Sequence, residues 1–109
     1  MCKPLNLKGE GMDYRPGKRL KIARELMGIN RNKFSKLTGI DYIRMVTIEE
    51  DRGRLGVDDV ALVVAHFPEL LHWLVLGNPI DIEQCAKSQN EHIRMLADNL
   101  ETHGYPDEV

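Results

Sequence analysis

With only two cysteines in 109 residues, Cys2 and Cys85, the sequence has neither the density nor the spacing for a disulfide framework or a thiolate metal site. Both are expected as free thiols. The chain also lacks an apolar run of the roughly 18 residues that a membrane span needs, and Met1 to Met12 lacks the apolar centre of a signal peptide. A cytoplasmic protein without a membrane partner is the expectation. No Ser-His-Asp, Cys-His or paired-carboxylate arrangement is evident, and no glycine-rich phosphate loop. His66 and His72 stand six apart with no carboxylate or thiol at ligand spacing between them. The chain is therefore expected to be no enzyme and to need no metal or cofactor. Its length suits one compact domain with an appendage, and chains this short rarely enclose a large active site.

What is present is unevenly distributed. The formal net charge is only -2, yet residues 1–54 carry 13 Lys and Arg against 7 Asp and Glu, while residues 55–109 carry 2 against 10. A basic half that meets an anion and an acidic half that faces elsewhere is the reading this asymmetry suggests; the plain alternative is a soluble surface whose charges happen to segregate. Residues 1–15 contain Pro4, Gly9 and Gly11, few apolar residues and no periodicity, and Lys3, Lys8 and Arg15 make them basic. They read as a flexible basic arm, of the kind that in some DNA-binding domains reaches along a duplex.

From Gly17 to Met27, Leu20, Ile22, Ala23, Leu26 and Met27 recur with helical spacing and Lys18, Arg19, Lys21, Arg24 and Glu25 take the other face, so a first amphipathic helix is predicted, stopped by Gly28. Asn30 is a good N-cap for a short helix over Arg31 to Leu37. Gly39 is placed to reverse the chain, and Asp41 caps a third helix through about Glu50 with Met45 and Ile48 on its apolar stripe. Helices this short do not stand alone in water and must pack on one another. Val57, Val60, Ala61, Val63 and Val64 predict a fourth helix, read as core and capped by Asp58 or Asp59. Pro68 opens a fifth, whose Leu70, Leu71, Trp73, Leu74, Val75 and Leu76 exceed what one small helix needs to bury.

Basic helix, short helix, glycine turn and capped helix ending in Ile48-Glu49, followed by two helices closing in His-Trp-Leu-Val-Leu-Gly, occur here in a familiar order. Over Gly17 to Gly77 the chain resembles the Cro/repressor-type helix-turn-helix family, also called the Xre family. In that family the closing segment usually reads as an acidic residue, Trp-Leu-Leu and then Gly. The resemblance implies an all-α fold, a five-helix lambda-repressor-like bundle over residues 16–77, whose third helix lies in the major groove while the second crosses the backbone. Phe34, Ile40, Met45 and Ile48 match core positions, Ser35 the small residue that lets the two helices approach, and Gly39 the turn glycine. Tyr42, Ile43 and Thr47 fall where the family's base-contacting side chains project. Arg44, Arg52 and Arg54 lie on or just after that helix, and Arg31 stands where the family often has Gln, within reach of a phosphate. With Lys36 and Asp41 beside them, these residues make up the expected DNA-binding set.

Two departures bear on function. Thr38 replaces a usual apolar residue before the turn, which shifts the expected burial onto Leu37. The reading face lacks the Gln, Asn and Arg residues that contact bases bidentately; Arg44 is its one strong reader, and Glu49, Glu50 and Asp51 bring three acids close to where phosphates would lie.

Asn78 and Pro79 break the chain, after which a single helix is predicted from Asp81 to His103, ended by Gly104 and an acidic tail, within a third segment covering residues 78–109. Ile82, Ala86, Gln89, Ile93, Leu96 and Leu100 advance by the 4-3 spacing of a coiled-coil seam, so this helix is expected to dimerise, with folding back on the bundle as its alternative. Double-stranded DNA and a second copy are the expected partners. The function expected is a homodimeric transcription regulator, a repressor that occupies a palindromic operator through the helix Asp41 to Glu50. The alternative is a protein-binding module, antitoxin-like or an anti-activator, with weak or no DNA binding, since exposed Tyr and Ile also anchor protein interfaces.

Overall fold

A computed structural model describes residues 14–106; the basic arm, apart from its last two residues, and the final three residues lie outside them. The described residues form seven α-helices and one short 3₁₀ turn, with no strand. They are α1 (Pro16–Leu26), α2 (Arg31–Thr38), α3 (Tyr42–Glu49), α4 (Val57–His66), the turn Pro68–Leu70, α5 (Leu71–Leu76), α6 (Ile82–Ala86) and α7 (Glu91–His103). No described helix is long and apolar enough to cross a membrane.

Local chemistry sets the helix ends. The Asn30 side chain accepts from the Lys33 N–H at 2.8 Å and opens α2; Gly39, at φ 88°, closes it in the left-handed region where only glycine is unstrained. Asp41 opens α3 by accepting from the Arg44 N–H at 3.2 Å. Thr38 is buried in place of Leu37, which is only half-buried. Its hydroxyl donates to the Phe34 carbonyl at 2.9 Å and accepts from the Ile40 N–H at 3.3 Å, so a polar side chain sits in the core with its bonding satisfied. Across the turn the Ser35 hydroxyl donates to the Ile40 carbonyl.

One core joins all the elements. Leu20, Ile22, Ala23 and Met27 of α1 meet Phe34, Met45 and Ile48 of α2 and α3, and Phe34 stacks on Phe67 with ring centres 5.9 Å apart. Gly17 lies against the end of α3: a Cβ there would come within 2.2 Å of the Ile48 carbonyl oxygen, so any side chain would push α1 off α3. The indole of Trp73 donates to the Arg19 carbonyl at 3.0 Å and stacks on Tyr105. Helix α4 is less buried than its run of valines predicts: Val63 is in the core, but Val57 is 85% exposed and Ala61 is exposed. Its N-cap is Gly56, whose N–H is taken by the Asp59 carboxylate at 2.8 Å.

The C-terminal segment differs from the expected single helix. Asp81 to His103 divides at Lys87–Asn90 into α6 and α7, because the polar residues there cap helix ends. Asn90 accepts from the N–H groups of His92 and Ile93, Ser88 donates to Glu69 at 2.7 Å, and the Asn90 N–H returns to the Ser88 hydroxyl at 3.0 Å. The seam is broken with it. Ile93, Leu96 and Leu100 are buried in the chain's own core, Ile82 is half-buried, and Ala86 and Gln89 are exposed, with Gln89 in the bend. Asn99 fixes α7 to α1 by donating to the Leu26 carbonyl at 2.7 Å. Folding back on the bundle is what the structure has, and these six residues form no continuous apolar stripe for a partner.

Candidate nucleic-acid interface

Helix α3 buries Met45, Ile48 and Glu49 and turns Tyr42, Ile43 and Arg44 to solvent, with Val46 and Thr47 half-buried beside them. Ile43 is 68% exposed and Tyr42 43%. Apolar area left outward on a helix of eight residues, whose other face is fully used, needs either a functional partner or an explanation from solubility alone.

The inward face is held by ions. Glu49, with no solvent exposure, accepts from Arg24 at 2.8 Å and 2.9 Å in a fork and from Arg31 at 2.9 Å. Arg24 also donates to the Ile29 carbonyl at 2.8 Å. One carboxylate thus ties α1, α2 and α3 together, and each of its oxygens is satisfied, which is the condition for burying a charge. Hydrogen bonding to Glu49 raises the pKa of Arg31 against the opposing effect of burial, so its charge is secure. Arg31, expected at a phosphate, is committed at its Nε to this network and sits 3.6 Å from Glu50 through Nη1.

The two acids that follow are compensated as well. Glu50 lies 2.9 Å from Arg52, and Asp51 lies 2.9 Å from Arg15. These are exposed pairs that add little stability, but they reduce the negative potential beside α3. Asp51 takes φ 65°, the left-handed region, in the turn that leads out of α3. Lys33 and Lys36 of α2 and the Arg54 guanidinium have no carboxylate partner among the described residues, and Lys33 was missing from the expected set although its spacing from Lys36 puts both on one face.

Arg44, expected as the one strong reader on α3, is not loose. Its Nε and Nη2 bond the Asp59 carboxylate at 2.9 Å and 2.6 Å, and Nη2 lies 3.4 Å from the Arg54 carbonyl. The pairing raises the pKa of Arg44 and lowers that of Asp59, in which the Arg44 hydrogen bond outweighs burial and the Gly56 N–H adds to it. Nothing local in the sequence links these residues, 15 positions apart. Thr47 donates its hydroxyl proton to the Ile43 carbonyl at 2.9 Å, and its methyl faces Gly53, where an added Cβ would approach to 2.9 Å. What it offers outward is therefore an acceptor only.

Elsewhere, a groove of about 340 Å³ runs between α1, α4 and α5, lined by Leu55, Val57, Val60, Leu71 and Val75. The described residues contain no cluster of His, Cys, Asp and Glu able to hold a metal ion. Cys85 is buried, and burial, reinforced by Glu69 and Asp81, pushes its thiol up to about 11, so it stays protonated and unreactive at neutral pH. No protein-family model, curated protein or solved structure matches the chain.

Proposed function

We propose that the chain is a sequence-specific DNA-binding transcription regulator of the helix-turn-helix class, a repressor that occupies an operator with α3 in the major groove and α2 across the backbone. The observation that carries this reading is the outward face of α3. Tyr42, Ile43, Arg44 and Thr47 stand at its surface, the exposed Lys33, Lys36 and Arg54 have no carboxylate partner among the described residues, and every acid of the Glu49–Asp51 run has a cationic partner. The lysines and Arg54 serve as phosphate contacts, which position without reading, and Ile43 packs on a thymine methyl. Arg31 contributes through its remaining donors and through the nearby N–H groups at the start of α2. Asp41 acts from behind, as the cap of α3.

In this reading two chains share one operator, with recognition helices about 34 Å apart. Since α7 buries Ile93, Leu96 and Leu100 internally and leaves Met95 half exposed, pairing falls to the exposed Val57, Leu71 and Val75 around the α4–α5 groove and to Leu76 next to them in the chain. Titration of randomised duplexes followed by anisotropy tests both parts. Binding that saturates at two chains per duplex, and a log-log salt slope that becomes shallower by about 2 in the double variant K33A/K36A, is the expected result. Salt-independent or absent binding would remove the reading.

The 68% exposure of Ile43 beside Tyr42 also suits a second reading, a protein-binding module of antitoxin-like or anti-activator kind. Stoichiometric co-purification of a protein displaced by Ile43→Glu, without DNA binding, would favour it.

A further inference from the structure

Arg44 and Asp59 sit on different helices and meet at the edge of the α3 face. The fork of bonds takes the Nε hydrogen and one Nη2 hydrogen of Arg44. The second Nη2 hydrogen has the Arg54 carbonyl within 3.4 Å. Only Nη1 makes no bond among the described residues, although half of the side chain is exposed. Asp59 in turn is nearly buried and anchored, because its Oδ2, which takes the Nη2 hydrogen, also accepts the Gly56 N–H that opens α4. The guanidinium is thereby fixed at two of its three nitrogens by a group that cannot itself move without uncapping α4.

We infer that Asp59 is a positioning residue for specificity: it holds Arg44 so that Nη1 alone is presented to DNA, where its two N–H groups read N7 and O6 of one guanine edge. This rests on the proposal that α3 faces DNA. A flexible arginine can bond any phosphate within reach and loses side-chain entropy when it does, whereas a guanidinium already clamped by a carboxylate can satisfy only an acceptor in one place. The clamp thus trades affinity for discrimination. A carboxylate near the duplex repels phosphates, so its benefit lies in the base preference and not in the overall binding strength.

The test is selection from a pool of randomised duplexes by the wild-type chain and by the variants R44A, D59N and R44K, each with its fold checked by circular dichroism. Asp59→Asn keeps an oxygen for the Gly56 N–H but removes the charge that clamps Arg44. Arg44→Lys leaves the α4 cap untouched and serves if D59N does not fold. The expected result is that the wild-type motif contains a guanine whose preference falls on the order of tenfold in all three variants. Binding of D59N and R44K to random duplex is not weakened. A guanine preference lost in R44A but intact in D59N or in R44K would overturn the role of Asp59 while leaving DNA reading in place. A sharper preference in D59N would equally overturn it, by making Asp59 a brake. No motif at all from the wild type would overturn both this inference and the function on which it rests.

Discussion

The inward and outward faces of α3 carry the same chemistry in opposite surroundings. On the inward side Glu49 is forked by Arg24 at 2.8 Å and 2.9 Å; on the outward side Arg44 forks Asp59 at 2.9 Å and 2.6 Å. The geometry is nearly the same and both carboxylates are buried, but the Arg24 side chain is 8% exposed, whereas half of the Arg44 side chain is in solvent. A buried pair cannot lose one member without stranding the other charge, so it fixes the fold. A pair whose arginine stands half in solvent is screened at that end and gains less stability, so its worth lies in where it holds a group. Bond length alone would not separate the two roles; burial does.

The largest effect should come from breaking the inward pair. Glu49→Ala leaves the buried Arg24 with the Ile29 carbonyl and, at 4.0 Å, Glu25, and should cost about 3–5 kcal/mol in a denaturant titration. An equal loss in D59N would show that the two pairs are not different in kind.

A smaller effect separates them by pH. The Arg44 guanidinium, with help from the Gly56 N–H, holds the Asp59 carboxyl below the usual carboxylate range. A depressed carboxyl contributes stability that is complete above its ordinary value near 3.9 and is lost as pH falls through the depressed one. The acid limb of a stability profile should therefore be shallower in D59N than in the wild type, by an amount well below the Glu49 effect.

The smallest effect concerns the left-handed residue after α3. Asp51→Gly relieves a φ of 65° at the loss of one exposed pair with Arg15, and should be neutral or stabilising by up to about 1 kcal/mol in thermal melts. It also removes an acid from the proposed DNA side, so affinity for duplex should rise at low salt. A destabilised D51G would mean that the Arg15 pair matters more than its exposure suggests.

Much of this arrangement was legible in local signals. Asn30, Gly39 and Asp41 announce their turn and caps by residue type, and the outward set on α3 follows from the burial of Met45 and Ile48. What escaped depended on distance along the chain or on competing periodicities. The 4-3 spacing from Ile82 to Leu100 runs through Ser88 and Asn90, and spacing alone could not show that their side chains would cap new ends and turn Ile93, Leu96 and Leu100 into the chain's own core. The valines of α4 predicted a deeply buried helix, but the bundle is too small to cover Val57. Thr38 looked out of place before the turn because its two hydrogen bonds could not be seen. Asp59 reads in sequence as one of two capping acids; its hold on Arg44 exists only in three dimensions.

The central claim is that α3 and its neighbours meet DNA with their outward face. Chemical-shift mapping of the isotope-labelled chain on addition of duplex DNA tests it most directly. The largest amide shifts are expected at Arg31–Lys36, Tyr42–Thr47 and Arg52–Arg54, with α7 unmoved. Shifts centred on α7, or none at all, would contradict it.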